Sequence, residues 1–167
     1  MEHKLNQTIE RTALSNLVSN EDYCRKVLPF IKPDYFSVKE ERIVFEEITN
    51  FVDKYRKMPT KISLEIEVET RKDLTETEHQ KIVEIIKTLD STDVDMEWLV
   101  DTTEKFCKDK AIYNAIVDGI GIIDGKDKNR GADAIPSLLT DALAVSFDNA
   151  VGHDYFDDSE KRFDFYH

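Results

Sequence analysis

Residues that build tight turns and cross-links are scarce in this sequence. Its 167 residues include five glycines, four prolines and two cysteines. Sandwiches and barrels need many tight turns, so the shortage of glycine and proline favours an all-α protein. Cys24 and Cys107 lie far apart and outside any CxxC motif, which supports neither a zinc site nor a disulfide. We expect both thiols to pack as small apolar groups in a reducing cytosol.

The sequence also lacks a positive charge balance and long apolar runs, with 23 lysines and arginines against 35 aspartates and glutamates. The formal net charge is −12, which repels phosphate backbones unless basic residues cluster on one face. Autonomous DNA binding is therefore disfavoured. No stretch approaches the roughly 18 consecutive apolar residues that a membrane span requires, so we expect no contact with a membrane.

A basic cluster, formed by Lys54, Arg56, Lys57 and Lys61, is the exception to the acidic balance. It could contact nucleic acid or an acidic partner. It also follows the end of a predicted helix, where cations interact favourably with the helix dipole. We therefore interpret the cluster as structural.

Apolar residues recur at helical spacing through residues 1–95, which predicts a small helical bundle. Asn20 is placed to cap a helix. Ser37 with Glu40, and Thr75 with Glu78, have the spacing of capping boxes, in which two side chains satisfy the free amides of a helix start. Each pair precedes a run of apolar residues on one helical face, so we predict a helix after each.

One segment of the bundle has a different pattern. Ile62, Leu64, Ile66 and Val68 alternate with polar residues, a period of two that is typical of a half-buried strand. No second strand pattern lies nearby, and an isolated strand would leave its backbone groups unsatisfied. We therefore predict a helix here as well.

A long helical hairpin is predicted over residues 96–149. Apolar positions continue at heptad-like spacing from Met96 toward Ile123, a run about 40 Å long at 1.5 Å per residue. A polar loop bounded by glycines follows at 124–131, and a return helix is predicted over 134–147. Its predicted inward-facing residues are Ile135, Leu138, Leu139, Ala142 and Leu143.

Such a hairpin is longer than a small bundle can cover, so we predict that it protrudes and pairs with a second copy, and that such dimers close into a ring. The residues expected at this interface between subunits are Leu99, Thr103, Phe106, Tyr113, Leu138, Leu139 and Phe147. Ordinary core packing within one bundle is the alternative for the same residues.

Residues 150–167 differ in character from the rest. Acidic and aromatic residues alternate there without a clear buried face, which predicts an interdomain linker. The residues expected to dock on a neighbouring surface are Tyr155, Phe156, Phe163 and Phe165.

No segment has the residue spacing of a known catalytic motif. The segment from Gly119 to Lys126 suggests a nucleotide-binding loop, but it has five residues between Gly119 and Gly125 where such a loop has four. Asp127 also replaces the Ser or Thr that would bind magnesium, so we interpret the segment as a helix end. His153 and Asp154, with Asp157 and Asp158, are possible metal ligands. We favour a solvated acidic linker, because Asp-rich loops are usually exposed. We therefore predict no catalytic, cofactor or metal site in this chain.

The order of these elements resembles the N-terminal domain of hexameric replicative DNA helicases of the DnaB type. The matching features are Glu10-x-x-x-Leu14, Pro33-Asp34-Tyr35-Phe36 before Ile43–Ile48, Pro59 before the next helix, and the hairpin from Trp98 to Phe147. Residues 151–158, with Arg162-Phe163 and Tyr166-His167, resemble the interdomain segment of the T-even bacteriophage branch of this family.

The resemblance implies a role in assembly rather than in catalysis. In that family the domain forms the collar of the ring, pairs its hairpins between subunits and receives the primase, while a loader protein also engages the helicase. The expected partners are therefore further copies of the chain, primase and helicase loader. ATP, magnesium and most DNA contacts are implied only for the ATPase motor, which this chain lacks. A phage protein in the cytosol of its bacterial host is expected.

Two other functions remain open at this stage. The first is a stand-alone acidic phage adaptor that binds a replication or host protein as a monomer. The second is a small metal-dependent phosphohydrolase that uses His153 and Asp154. The chain itself is interpreted as a fragment of a longer helicase or as a free-standing relative.

Overall fold

The computed structural model describes residues 2–147, and all regular structure in this range is helical. The helices are α1 (Glu2–Leu17), α2 (Glu21–Val27), α3 (Lys39–Tyr55), α4 (Lys61–Glu69), α5 (Glu76–Lys87), α6 (Met96–Ile123) and α7 (Ile135–Leu143). Short 3-10 turns cover Leu28–Phe30, Pro33–Tyr35 and Ala132–Ala134. The all-α prediction is confirmed.

One apolar core joins the helices into a head. It is built from the apolar faces of α1 to α5 and the first half of α6, with Tyr23, Phe36 and Phe45 among its largest members. Phe36 and Phe45 contact each other with ring centroids 5.0 Å apart. The Cys24 and Cys107 side chains are both buried in this core, as predicted. Burial raises the pKa of the Cys107 thiol to about 12, which keeps it protonated and unreactive.

Two of the three predicted helix starts have the expected caps. The Asn20 side chain accepts a hydrogen bond from the backbone N–H of Tyr23 at 3.1 Å. At the start of α5, the Thr75 hydroxyl accepts from the N–H of Glu78, and the Glu78 carboxylate accepts from the N–H of Thr75. These contacts satisfy amides that have no partner inside the helix.

The capping box predicted for Ser37 and Glu40 is wrong. Helix α3 begins at Lys39 after Val38, which offers no capping side chain. Ser37 instead donates its backbone N–H (3.2 Å) and its hydroxyl (2.7 Å) to the buried Glu10 carboxylate on α1. A distant buried carboxylate is the stronger acceptor because leaving it unpaired would cost more than leaving a solvated helix end uncapped.

A polar cluster lies where α1, α3 and α6 meet. Lys110 Nζ lies 3.8 Å from Glu10, and Arg11 Nε donates to the buried Glu41 carboxylate at 3.0 Å. Burial raises the pKa of Glu41 above its ordinary value, an effect that Arg11 opposes and the neighbouring Glu10 carboxyl strengthens. The cluster therefore holds two carboxyl groups and two cations at one junction of the head.

The segment with the strand-like pattern is a helix, as predicted. Helix α4 starts with a reciprocal pair of hydrogen bonds between Thr60 and Ser63. Leu64 and Val68 are fully buried, whereas Ile62 and Ile66 are exposed. Residues four apart share a helical face, and residues two apart lie on nearly opposite faces. The alternation therefore arises from two apolar faces on one helix.

Charged contacts attach α4 and α5 to their neighbours. Arg71 donates to Glu47 of α3 at 3.1 Å and to Asp73 at 2.7 Å. Lys61 bonds to Asp90 and to the carbonyl of Lys87, the last residue of α5. Within the basic cluster, Lys54 lies in the last turn of α3, as predicted, whereas Lys61 starts α4 and contacts the end of α5 instead.

The hairpin has two unequal parts. The first half of α6 packs against α1 and α2 in the head, and the second half packs against α7. The return helix starts at Ile135, with Pro136 in its first turn, and ends at Leu143, so it is shorter than predicted at its C-terminal end. Leu143, predicted to face inward, is exposed, whereas Ala142 is buried as predicted.

Candidate assembly surface on the long helix

The second half of α6 carries an uninterrupted apolar stripe on its solvent side. Five large side chains are between 48% and 71% exposed, and they recur every three or four residues: Tyr113, Ile116, Val117, Ile120 and Ile123. This spacing places all five on one face of the helix. We call these five residues the α6 stripe.

The opposite face of the same half is covered. Ala115, Gly119 and Ile122 are buried there beneath α7. A Cβ atom at Gly119 would lie 3.8 Å from Cγ2 of Ile135, so the two helices pack closely at this point. The second half of α6 is therefore apolar on both sides, although α7 covers only one of them.

Three residues predicted for the outer surface are inside the head instead. Leu99, Thr103 and Phe106 are buried. The Thr103 hydroxyl donates to the carbonyl of Leu99 at 2.7 Å, so it accepts from the Tyr23 hydroxyl, also at 2.7 Å. Burial raises the pKa of Tyr23, which keeps its hydroxyl a donor. The prediction that these three residues face a second copy is wrong, because the head already covers them.

The other four predicted residues lie in different places. Tyr113 belongs to the α6 stripe, and Leu138 and Leu139 are half-buried on α7. Phe147 stacks on Phe30 with ring centroids 4.8 Å apart, and its N–H donates to Glu104 at 2.9 Å. The chain thus returns to the head at Phe147. The predicted docking residues Tyr155, Phe156, Phe163 and Phe165 lie outside the described residues.

Sequence reasoning missed Ile116, Val117, Ile120 and Ile123. The signal was nevertheless present, because residues 111–123 contain more apolar positions than one partner helix can cover. A helix that is apolar all round needs contacts on more than one side. Counting apolar residues on both faces would have identified this surface.

The end of α6 confirms the interpretation of the glycine-containing segment as a helix end. Gly119 and Gly121 lie within the helix, and Gly125 has a φ of 75°, the left-handed conformation that ends many helices. The backbone N–H groups of Lys126 and Asp127 both bond to the carbonyl of Gly121. They are therefore not available to hold a phosphate.

Other kinds of site were sought in the described part of the chain. Among residues 2–147, no group of three or more His, Cys, Asp or Glu side chains is placed to hold a metal ion. None of the described helices is long and apolar enough to cross a membrane. His153 and Asp154 lie outside this range.

The fold is that of an all-helical domain with an exposed apolar stripe, and comparison with known proteins identifies its family. Residues 2–96 match the family model of the DnaB-like helicase N-terminal domain. The matched range covers α1 to α5 and the first residue of α6. The chain belongs to this family.

A curated relative extends the similarity beyond the head. The chain is 32% identical over 157 residues to the "DnaB-like replicative helicase" of Enterobacteria phage T4. The match covers 89% of this chain and 33% of the relative. The chain therefore spans about a third of the length of that relative, and the similarity includes most of the hairpin.

Proposed function

We propose that this chain is the assembly and partner-docking domain of a DnaB-type replicative helicase, and that the α6 stripe pairs with the same stripe of a second copy. The observation that carries the proposal is the row of five exposed apolar side chains on one helical face. Isolated exposed apolar residues are ordinary on monomers, whereas a continuous row marks a surface that another protein covers.

The stripe has the size and shape for helix pairing. It runs from Tyr113 to Ile123, about 15 Å at 1.5 Å per residue, which is three turns of helix. Each large apolar side chain contributes about 1.5–3 kcal/mol when it is fully buried. In a symmetric pair, each residue of the stripe is buried once in each copy, so every apolar contact contributes twice to the interface.

In the complete assembly, dimers of this kind would close into a hexameric ring that carries an ATP-driven motor. The motor supplies the nucleotide site, the magnesium site and most DNA contacts, while this domain receives primase and helicase loader. Family membership and the similarity to the phage T4 helicase support these roles. The activity belongs to the host cytosol, where a phage helicase meets DNA and its replication partners.

The test is the mass of the purified 167-residue chain by light scattering from 1 to 100 μM. We expect a dimer or a larger multiple. Ile116→Ser/Ile120→Ser should raise the dissociation constant at least about 100-fold, because each substitution is present twice in a symmetric pair. Val94→Ser serves as the control, since Val94 is exposed but lies before α6.

A parent chain that stays monomeric at 100 μM would contradict the proposal. That result would favour the acidic adaptor that acts as a monomer. An oligomer that survives the double substitution unchanged would move the interface away from the α6 stripe.

A further inference from the structure

The outer face of α4 carries an apolar pair that the fold does not use. Ile62 and Ile66 are 68% and 56% exposed and lie one turn apart. Leu64 and Val68 already supply the buried face of this helix. β-branched residues are also poorer helix formers than most residues that tolerate solvent, so the pair contributes neither to the core nor to helix propensity.

An acidic edge runs beside this pair. Glu65 and Glu69 each follow an isoleucine by three residues, which places both carboxylates along one side of it. In the part of the chain that the structure describes, neither forms an ion pair. On the neighbouring helices, by contrast, Glu47 contacts Arg71 and Glu78 contacts Lys39. The outer face of α4 thus combines exposed apolar area with unneutralised negative charge.

This face is separate from the α6 stripe. Helix α4 packs against α3 and α5, whereas the exposed half of α6 packs against α7. The two surfaces therefore belong to different pairs of helices, and one substitution does not alter both.

We propose that Ile62, Ile66, Glu65 and Glu69 bind a partner protein through a basic amphipathic helix. Apolar side chains of that helix cover the two isoleucines, and its lysines or arginines lie along the glutamate edge. A second copy of this chain fits less well, because it carries a net charge of −12 and would bring the same carboxylates to the contact. The inference rests on the proposed function only in that the domain docks other proteins.

Two exposed isoleucines offer little area. Stable protein interfaces bury at least about 1,200 Å² in total, so this contact is weak and transient unless a second surface adds to it. That behaviour suits a partner that visits an assembled ring and leaves it. The expected affinity for an isolated helix is in the micromolar range.

The test uses the full 167-residue chain carrying Ile116→Ser/Ile120→Ser, so that self-association through the α6 stripe does not contribute. The probe is a fluorescein-labelled amphipathic peptide of about 18 leucine and lysine residues, long enough to be helical. A matched leucine and glutamate peptide is the control probe. Binding is followed by fluorescence anisotropy at 50 and 300 mM salt.

We expect the basic peptide to bind and the acidic peptide not to bind. Ile62→Ser/Ile66→Ser should weaken binding by about ten-fold, the effect of losing two small apolar anchors. Glu65→Gln/Glu69→Gln should weaken it by about three-fold at low salt and less at high salt. Leu5→Ser should leave binding unchanged, since Leu5 is equally exposed on α1.

Four results would overturn the inference. Equal binding to Ile62→Ser/Ile66→Ser would show that the general acidity of the chain attracts the peptide. Failure of the basic peptide to bind, or equal binding of the acidic peptide, would show that this face does not select a basic amphipathic helix. In the chain that keeps Ile116 and Ile120, a smaller oligomer after Ile62→Ser/Ile66→Ser would show that a second copy covers this face. Failure of the proposed function appears instead in the mass of the unmodified chain.

Discussion

The two halves of α6 share a helical apolar spacing but have different surroundings. Both carry apolar residues every three or four positions, yet Leu99, Phe106 and Cys107 are buried in the head whereas Tyr113, Ile116 and Ile120 are exposed. The difference arises because α1 and α2 cover the first half, whereas α7 covers one side of the second half and leaves the other side exposed. Periodicity shows that a helix has an apolar face, but the neighbouring elements determine whether that face is already occupied.

The largest contrast is expected between Phe106→Ala and Tyr113→Ala. Removing the buried Phe106 ring should lower the free energy of unfolding by about 3–5 kcal/mol, because it leaves a cavity in the core. Tyr113→Ala should change unfolding by less than about 0.5 kcal/mol, as most exposed substitutions do. Both substitutions are made in the monomeric background, which is the chain carrying Ile116→Ser/Ile120→Ser. Chemical denaturation of each variant measures the free energy of unfolding. Equal losses would mean that both halves are buried alike.

A smaller effect is expected at the buried hydroxyl pair in the first half. Thr103→Val keeps the shape of the side chain but removes the acceptor of the Tyr23 hydroxyl, leaving a buried donor unsatisfied. We expect a loss of about 1–3 kcal/mol in the free energy of unfolding. Tyr23→Phe on the Thr103→Val background should recover part of the loss, since both polar partners are then absent. No recovery would mean that Tyr23 finds another acceptor.

Two glycines near the end of the second half should respond in opposite directions. A Cβ at Gly121 meets nothing within 4 Å, so Gly121→Ala should stabilise the helix by about 0.5–1 kcal/mol. Gly125 has a φ of 75°, so Gly125→Ala should destabilise the turn by about 1 kcal/mol. Thermal unfolding of both variants in the monomeric background measures the pair. If Gly121→Ala weakens self-association while stabilising the monomer, the second helix approaches closely at Gly121.

The smallest expected effect is a pH dependence at the junction of the two halves, where Lys110 contacts Glu10 beside Glu41. The raised pKa of Glu41 means that the folded state prefers the protonated carboxyl. Its contribution is complete below the ordinary pKa of about 4.5 and is lost as the pH rises through the raised value. Glu41→Gln should therefore flatten the decline in stability above pH 4.5.

Denaturation between pH 4.5 and 8 measures this slope, with Glu40→Gln as the control one residue away. Asp73 and Glu78 do not interfere, because contacts with Arg71 and Lys39 lower their pKa values to about 2. An unchanged slope in Glu41→Gln would place the titration elsewhere.

Much of the fold was predictable from local signals. The Asn20 cap, the Thr75–Glu78 box and the span of α6 all follow from interactions within a few residues, and the structure confirms them. The Ser37 cap failed because its hydroxyl has a partner on α1, 27 residues earlier in the chain. A local capping motif competes with such a long-range hydrogen bond, and the spacing of residues in the sequence does not show which of the two forms.

The candidate surface was harder to predict than the fold. Tyr113, Phe106 and Phe147 were all predicted at one interface, yet Tyr113 is exposed whereas Phe106 and Phe147 contact the head. All three are aromatic residues in segments predicted to be helical, so nothing in their local sequence separates them. Which residues of α6 stay exposed depends on where α7 ends and on where the chain returns to the head, at the contact between Phe147 and Phe30.

The sequence alone determined that this protein is helical, where most of its helices begin, and which family it resembles, because capping, periodicity and element order are local or linear properties. Tertiary structure alone decided which apolar face stays uncovered, on α4 as well as on α6. Burial is a property of what packs against a residue, and that depends on contacts between segments far apart in the chain.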